Sequence, residues 1–256
     1  MTNGSGKKPG AWHVRSGIAE ACSLLLVPAA LALCAVTGID QAALLALIVV
    51  VGALVLFFSG YEKSSLRLRD TMPVAVLAAV AAAGRILFAP IPNFKPVSAI
   101  AVIAGAAFGR RAGFMVGALA AFVSNLFFGQ GPWTPWQMYA WGLIGYLGGV
   151  LASCGVFGDV RKPLPAEDAR KGRKVLRLVP LVVWGLLSGF LYGLVLNVWS
   201  IIGFYHPEGL AQMLIVYAAA VPFDAVHGVA TAFFLVVLYR PWMRKLERVK
   251  RKYALR

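Results

Sequence analysis

Apolar residues in this chain come in long runs rather than in alternation with polar ones. Eight predominantly apolar segments, at 17–36, 41–60, 72–89, 96–108, 112–128, 138–155, 178–203 and 211–239, are separated by short polar or Gly/Pro-containing connections. A hydrocarbon layer of about 30 Å takes about 20 residues of helix at about 1.5 Å per residue. The pattern therefore predicts a bundle of membrane-spanning helices. The fourth segment is short for a crossing and reads either as a tilted helix buried by its partners or as one that begins earlier, through Pro96, since proline suits a first helical turn.

Composition supports this reading. Of 256 residues, 60% are hydrophobic and 14% charged, where a soluble globule carries about a quarter charged. Eight spans leave roughly 100 residues for connections, so a large soluble domain is excluded. A net charge of +15 raises the question of nucleic acid, and its placement answers it. With the N-terminus inside, 23 of the 25 Lys and Arg fall on the cytoplasmic side, leaving only Lys95 in an outer loop and Arg85 within a span. Such a split is membrane topology, and no nucleic-acid partner is expected.

The three cysteines, Cys22, Cys34 and Cys154, lie in apolar runs without metal-ligand or CxxC spacing and read as small core residues. Neither a metal nor a cofactor is expected. Lys7, Lys8 and Arg15 ahead of an apolar stretch also resemble the start of a signal peptide, but the bulky Leu33 before Cys34 is wrong for lipoprotein-type cleavage. Gly4-Ser5-Gly6-Lys7-Lys8 lacks the leading glycine and the Ser or Thr of a phosphate loop, so any ATPase must be another chain.

Polar groups inside a membrane are costly and point to function by default. Here they are Arg85, Asn125, Asn197, Asp224 and His227, with Gln137 at a span edge. Arg85 can snorkel to the interface, and Asn125 and Asn197 can bond between helices or face a ligand. Asp224 and His227, at i and i+3, share a helix face and read either as a structural pair or as a proton relay. In the third span Ala75, Ala78, Ala79, Ala82 and Ala83 form a small-residue stripe that lets another backbone approach closely, from within the chain or from a partner. The outer loop Phe128 to Met138 combines Gly129, Gly131, Pro132 and Pro135 with Trp133, Trp136, Gln130 and Gln137. Tryptophans alone would fit an interfacial belt; a rigid frame between two amides fits a loop that covers a ligand.

From Arg85 through Gly149, and again from Pro222 to Thr231, the chain resembles the substrate-binding S-component of an energy-coupling factor vitamin transporter. The residues that carry the likeness are the alanine-rich third span, Pro92-Asn93-Phe94-Lys95-Pro96, Gly105, the turn Phe108 to Phe114, the Gly129 to Met138 loop, and Pro222-Phe223-Asp224-Ala225-Val226-His227-Gly228. The resemblance implies a six-helix membrane core over 71–240; the chain departs from it in 1–70, where a cytoplasmic segment and two additional helices precede that core, and a basic cytoplasmic tail follows over 241–256. It also implies a multi-pass protein of the bacterial cytoplasmic membrane with both termini inside. No catalysis is implied. A vitamin, with cobalamin as first guess, would be captured at the outer face and delivered against a coupling subunit and two ATPases. Ala75, Ala79 and Ala83 match the motif that contacts the coupling subunit.

The expected pocket comprises Asn93, Asn125, Gln130, Trp133, Trp136, Gln137, Asn197 and Tyr205, with Lys95 mattering if the ligand is negatively charged. Riboflavin or a queuosine precursor are alternative ligands. A proton-coupled secondary transporter using Asp224 and His227 is the rival class; an intramembrane enzyme has only one His–carboxylate pair to work with.

Overall fold

The computed structural model describes residues 11–37, 44, 48–49, 51–52, 68–158 and 178–254. The second predicted span and the predicted inner linker from Asp159 to Arg177 therefore lie almost wholly outside the described residues. Those described are helical, with no strand among them. The helices are α1 (Ala11–Val36), α2 (Leu68–Leu87), α3 (Val97–Phe108), α4 (Arg110–Phe128), α5 (Trp133–Ser153), α6 (Val179–Ser200), extended by a π-turn over Ile201–Tyr205, and α7 (Leu210–Tyr253). Three stretches are long and apolar enough to cross a membrane: Arg110–Phe128, Val179–Tyr205 and Leu210–Tyr253.

The short fourth segment is the centre of the bundle. Ten of the twelve residues of α3 are buried, and α2, α4, α5 and α7 pack around it. At about 18 Å it is too short to span by itself, and its neighbours make up the thickness. A single residue, Gly109, with φ +95°, joins it to α4. That left-handed conformation is one glycine adopts at little cost, and it produces the tight turn expected at Phe108 to Phe114.

Two glycine seams set how closely the helices approach. On the first, a Cβ at Gly105 or Gly113 would strike the Gly145 carbonyl oxygen, and one at Gly117 would strike that of Trp141. On the second, Gly185 faces Ala232, Gly189 faces Gly228, and Gly193 faces the Asp224 carboxylate. In lipid, where apolar surface gains little by association, such backbone contact supplies the dispersion energy that holds helices together. The alanines expected to do this work on α2 divide instead. Ala78, Ala81 and Ala82 are buried, whereas Ala75, Ala79 and Ala83 are exposed.

Two expectations change, and two features are added. Residues 241–253, expected as a basic cytoplasmic tail, are helical and continue α7, which runs unbroken for 44 residues past Pro222 and Pro241, about 66 Å, or twice the hydrocarbon thickness. Its far end is tied back where Lys250 Nζ donates to the Ala107 carbonyl at 2.7 Å. The predicted loop to Met138 is helical from Trp133 onward, because Pro132 at the cap and Pro135 in the first turn sit where no intrahelical N–H is needed. The cysteines are not core: Cys22 and Cys154 are exposed and Cys34 is half-buried. Finally, α1 is pinned to the core by a residue that carries no motif. Buried Glu20 accepts hydrogen bonds from Arg110 Nη2 at 2.9 Å, Arg111 Nη2 at 2.9 Å and Tyr146 Oη at 2.6 Å, and also pairs with Arg110 Nε. Tyr139 Oη adds a bond to the Leu24 carbonyl at 2.7 Å.

Candidate functional site

At the opposite end of the bundle from Glu20, polar side chains of α2, α4 and α5 converge around Asn125, which is 1% exposed. Arg85 Nη1 donates to Asn125 Oδ1 at 2.5 Å and to Ser124 Oγ at 2.7 Å. Asn125 Nδ2 in turn donates to Thr134 Oγ1 at 2.8 Å and Gln137 Oε1 at 2.9 Å. Ser124 and Thr134, both fully buried, give no signal in the sequence because hydroxyls inside a helix usually bond back to their own backbone. Ser124 does so as well, donating to the Ala120 carbonyl at 2.6 Å. Its oxygen still accepts from Arg85, and this second use is a tertiary fact.

Arg85 does not snorkel. Its guanidinium is drawn inward between two rings, 4.7 Å from the Phe128 centroid and 4.9 Å from that of Trp141. Both contacts fall within cation–π range. Trp141 continues the aromatic wall to Tyr192 on α6 at 4.9 Å, and Tyr192 stacks on His227 of α7 at 4.4 Å. His227 Nε2 shares a hydrogen bond with Ser98 Oγ of the central helix at 2.8 Å. Asp224 and His227 thus do not form the expected pair: the histidine is tied to α3, while the Asp224 carboxylate lies against Gly193 with no hydrogen-bond partner among the described residues.

The other predicted site residues scatter. Trp133 is partly exposed and meets Trp199 edge-on at 6.1 Å near this cluster. Trp136 is only 2% exposed, and its indole N–H has no acceptor among the described residues, so it packs between helices and offers no free surface. Asn197 is half-buried with Nδ2 unpartnered among the described residues. Gln130 is exposed and Nε2 donates to the Phe122 carbonyl at 3.0 Å, closing the end of α4. Asn93, at φ +54°, shapes the turn before α3, and exposed Tyr205 packs on Phe204; neither is bonded to the Asn125 network.

Lys95 is also committed elsewhere. Its ammonium donates to the carbonyls of Ala89 at 3.1 Å and Ile91 at 2.7 Å, and to that of Phe88, stapling the α2–α3 connection. Burial, and then the like charge of Arg85, hold its pKa below the ordinary lysine value. The two cations are therefore electrostatic neighbours.

No curated protein and no solved structure matches the chain. A family model, described as a family of unknown function (DUF6580), matches residues 64–251, a stretch that begins just ahead of α2 and ends in the last turn of α7, leaving α1 outside. The chain with this Arg85–Asn125 cluster belongs to that family, DUF6580.

Proposed function

We propose that this chain is the substrate-binding membrane subunit of an ATP-driven vitamin importer of the energy-coupling factor type, working in a bacterial cytoplasmic membrane with both termini inside. One observation carries the reading: side chains from α2, α4, α5, α6 and α7 converge on a single polar and aromatic cluster at one end of an otherwise apolar bundle. Ligand sites are concave, largely aromatic places with a few convergent polar groups, and a membrane protein without such a task has no reason to sustain the desolvation of these groups.

The uncovered side of α2 fits delivery to a partner. Ala75, Ala79 and Ala83 are exposed, so a coupling subunit, itself served by two ATPases, can bring a helix close against them. Cobalamin is the first-guess ligand from the sequence, with riboflavin or a queuosine precursor as alternatives. A proton-coupled secondary transporter is the rival, and it draws on the Asp224 carboxylate, unpartnered among the described residues.

The deciding experiment is a thermal-shift screen of the purified chain against vitamins, followed by uptake with and without the partner subunits. A ligand at about 100 times its dissociation constant stabilises by about 2.7 kcal/mol. Leucine at Ala79 and Ala83 is expected to leave binding intact and abolish ATP-driven uptake. Uptake by this chain alone that collapses with the proton gradient would select the rival.

A further inference from the structure

Among the described residues, Arg85 is a cation without a counter-ion. Its hydrogen bonds to them run through Nη1, to the neutral acceptors Ser124 and Asn125, and no carboxylate pairs with it. The ion pairs at the far end of the bundle belong to Glu20, and Asp224 faces Gly193. A half-buried guanidinium whose donors are not all taken by the protein is open to an anion that fills them and matches its charge. Here the Nε–Nη2 edge, the side-on fork that suits the two oxygens of a carboxylate or phosphate, makes no bond to any described residue. Beside it, Trp141 is 2% exposed with its indole N–H unpartnered, a second vacant donor in the same aromatic wall. Lys95 reinforces the positive field while its own donors are taken by carbonyls.

We infer that Arg85 is an anion receptor and that the ligand carries a carboxylate or phosphate group, taken by the open Nε–Nη2 edge of the guanidinium. The inference rests on the substrate-binding reading and narrows it: riboflavin, which carries neither carboxylate nor phosphate, leaves Arg85 unmatched, and cobalamin can engage it only through the phosphodiester of its nucleotide loop.

The test uses the full chain in lipid nanodiscs and pairs of probes that differ in one anionic group: nicotinate and nicotinamide, pantothenate and pantothenol, biotin and its methyl ester, pyridoxal phosphate and pyridoxal, with cobalamin and, as the uncharged vitamin, riboflavin alongside. The acid of at least one pair is expected to bind, with its uncharged counterpart weaker by roughly 10- to 150-fold, the value of a hydrogen-bonded charge. Carboxylates binding without the phosphate, or the reverse, identifies the group. Arg85→Gln is expected to erase the difference within the pair. Asn125→Asp, which hands the guanidinium a permanent carboxylate at the cost of the Nδ2 donations to Thr134 and Gln137, is expected to weaken the acid by a similar factor, with thermal unfolding of the variant checking that it is folded. If an uncharged vitamin binds and Arg85→Gln and Asn125→Asp hold it as tightly as wild type does, the anion receptor is overturned while the substrate-binding reading stands. If no probe of either kind binds, the substrate-binding reading fails and takes the inference with it.

Discussion

Arg85 and Asn125 meet at 2.5 Å, guanidinium on amide oxygen, and the amide's other face is already committed to Thr134 and Gln137. One asparagine therefore fixes the position of the half-buried cation and the entry of α5 at once. Neither could shift without breaking a bond to the other.

Asn125→Leu is expected to lose this network and destabilise the chain by about 1–3 kcal/mol, because Arg85, Thr134 and Gln137 each lose a buried partner. Thermal unfolding in detergent reads the effect. A melting temperature unchanged from wild type would mean that the three partners rebond among themselves.

The two tryptophans of the α5 entry should separate. Trp133, partly exposed beside Trp199, is expected on truncation to alanine to weaken ligand by roughly 5- to 150-fold with little change in stability. Trp136→Ala empties a buried site and should cost about 3–5 kcal/mol of stability. Ligand titration and thermal unfolding of both variants check the split, and matching losses in both would argue against it.

Close backbone approach predicts a contrast between small residues. Gly145→Val places side-chain atoms where the Gly113 carbonyl stands and should prevent correct folding, whereas Ala79→Leu, on an exposed face, should express and unfold like wild type. Fluorescence-detected size exclusion distinguishes them. Equal behaviour would place the seam elsewhere.

Removing Glu20 should loosen α1 selectively. Glu20→Ala leaves Arg110, Arg111 and Tyr146 without their shared acceptor. Because the Arg110 side chain is 45% exposed, water recovers part of the loss, leaving about 1–3 kcal/mol. Hydrogen exchange should rise in α1 while α3 to α5 stay protected. A uniform rise across all helices would make α1 an integral part of the core.

Topology can be read from one thiol. With Cys22 and Cys34 replaced by alanine, exposed Cys154 stands alone just past the end of α5, on the face assigned to the cytoplasm. A membrane-impermeant maleimide is expected to label it in inside-out vesicles and not in intact cells; the opposite result would invert the orientation.

Runs of apolar residues, broken by glycine, proline and charge, make the helices legible in the sequence alone, since in lipid each backbone donor must be satisfied within its own segment. The buried short helix at 97–108, the Gly109 turn and the membrane setting all follow from that local rule. Individual costly residues, Arg85 and Asn125 above all, are legible for the same reason. Their partners are not. That Arg85 turns inward to Asn125 rather than outward to the interface, that Ser98 on α3 holds His227 while Asp224 goes to Gly193, and that Glu20 anchors α1 depend on which helix faces meet. Those faces are chosen by the glycine seams, where two backbones touch only if residues far apart in the chain, such as Gly113 and Gly145, both lack a side chain. Hydropathy reports whether a residue tolerates lipid, which each position determines alone; packing reports which two surfaces fit, which no single position determines.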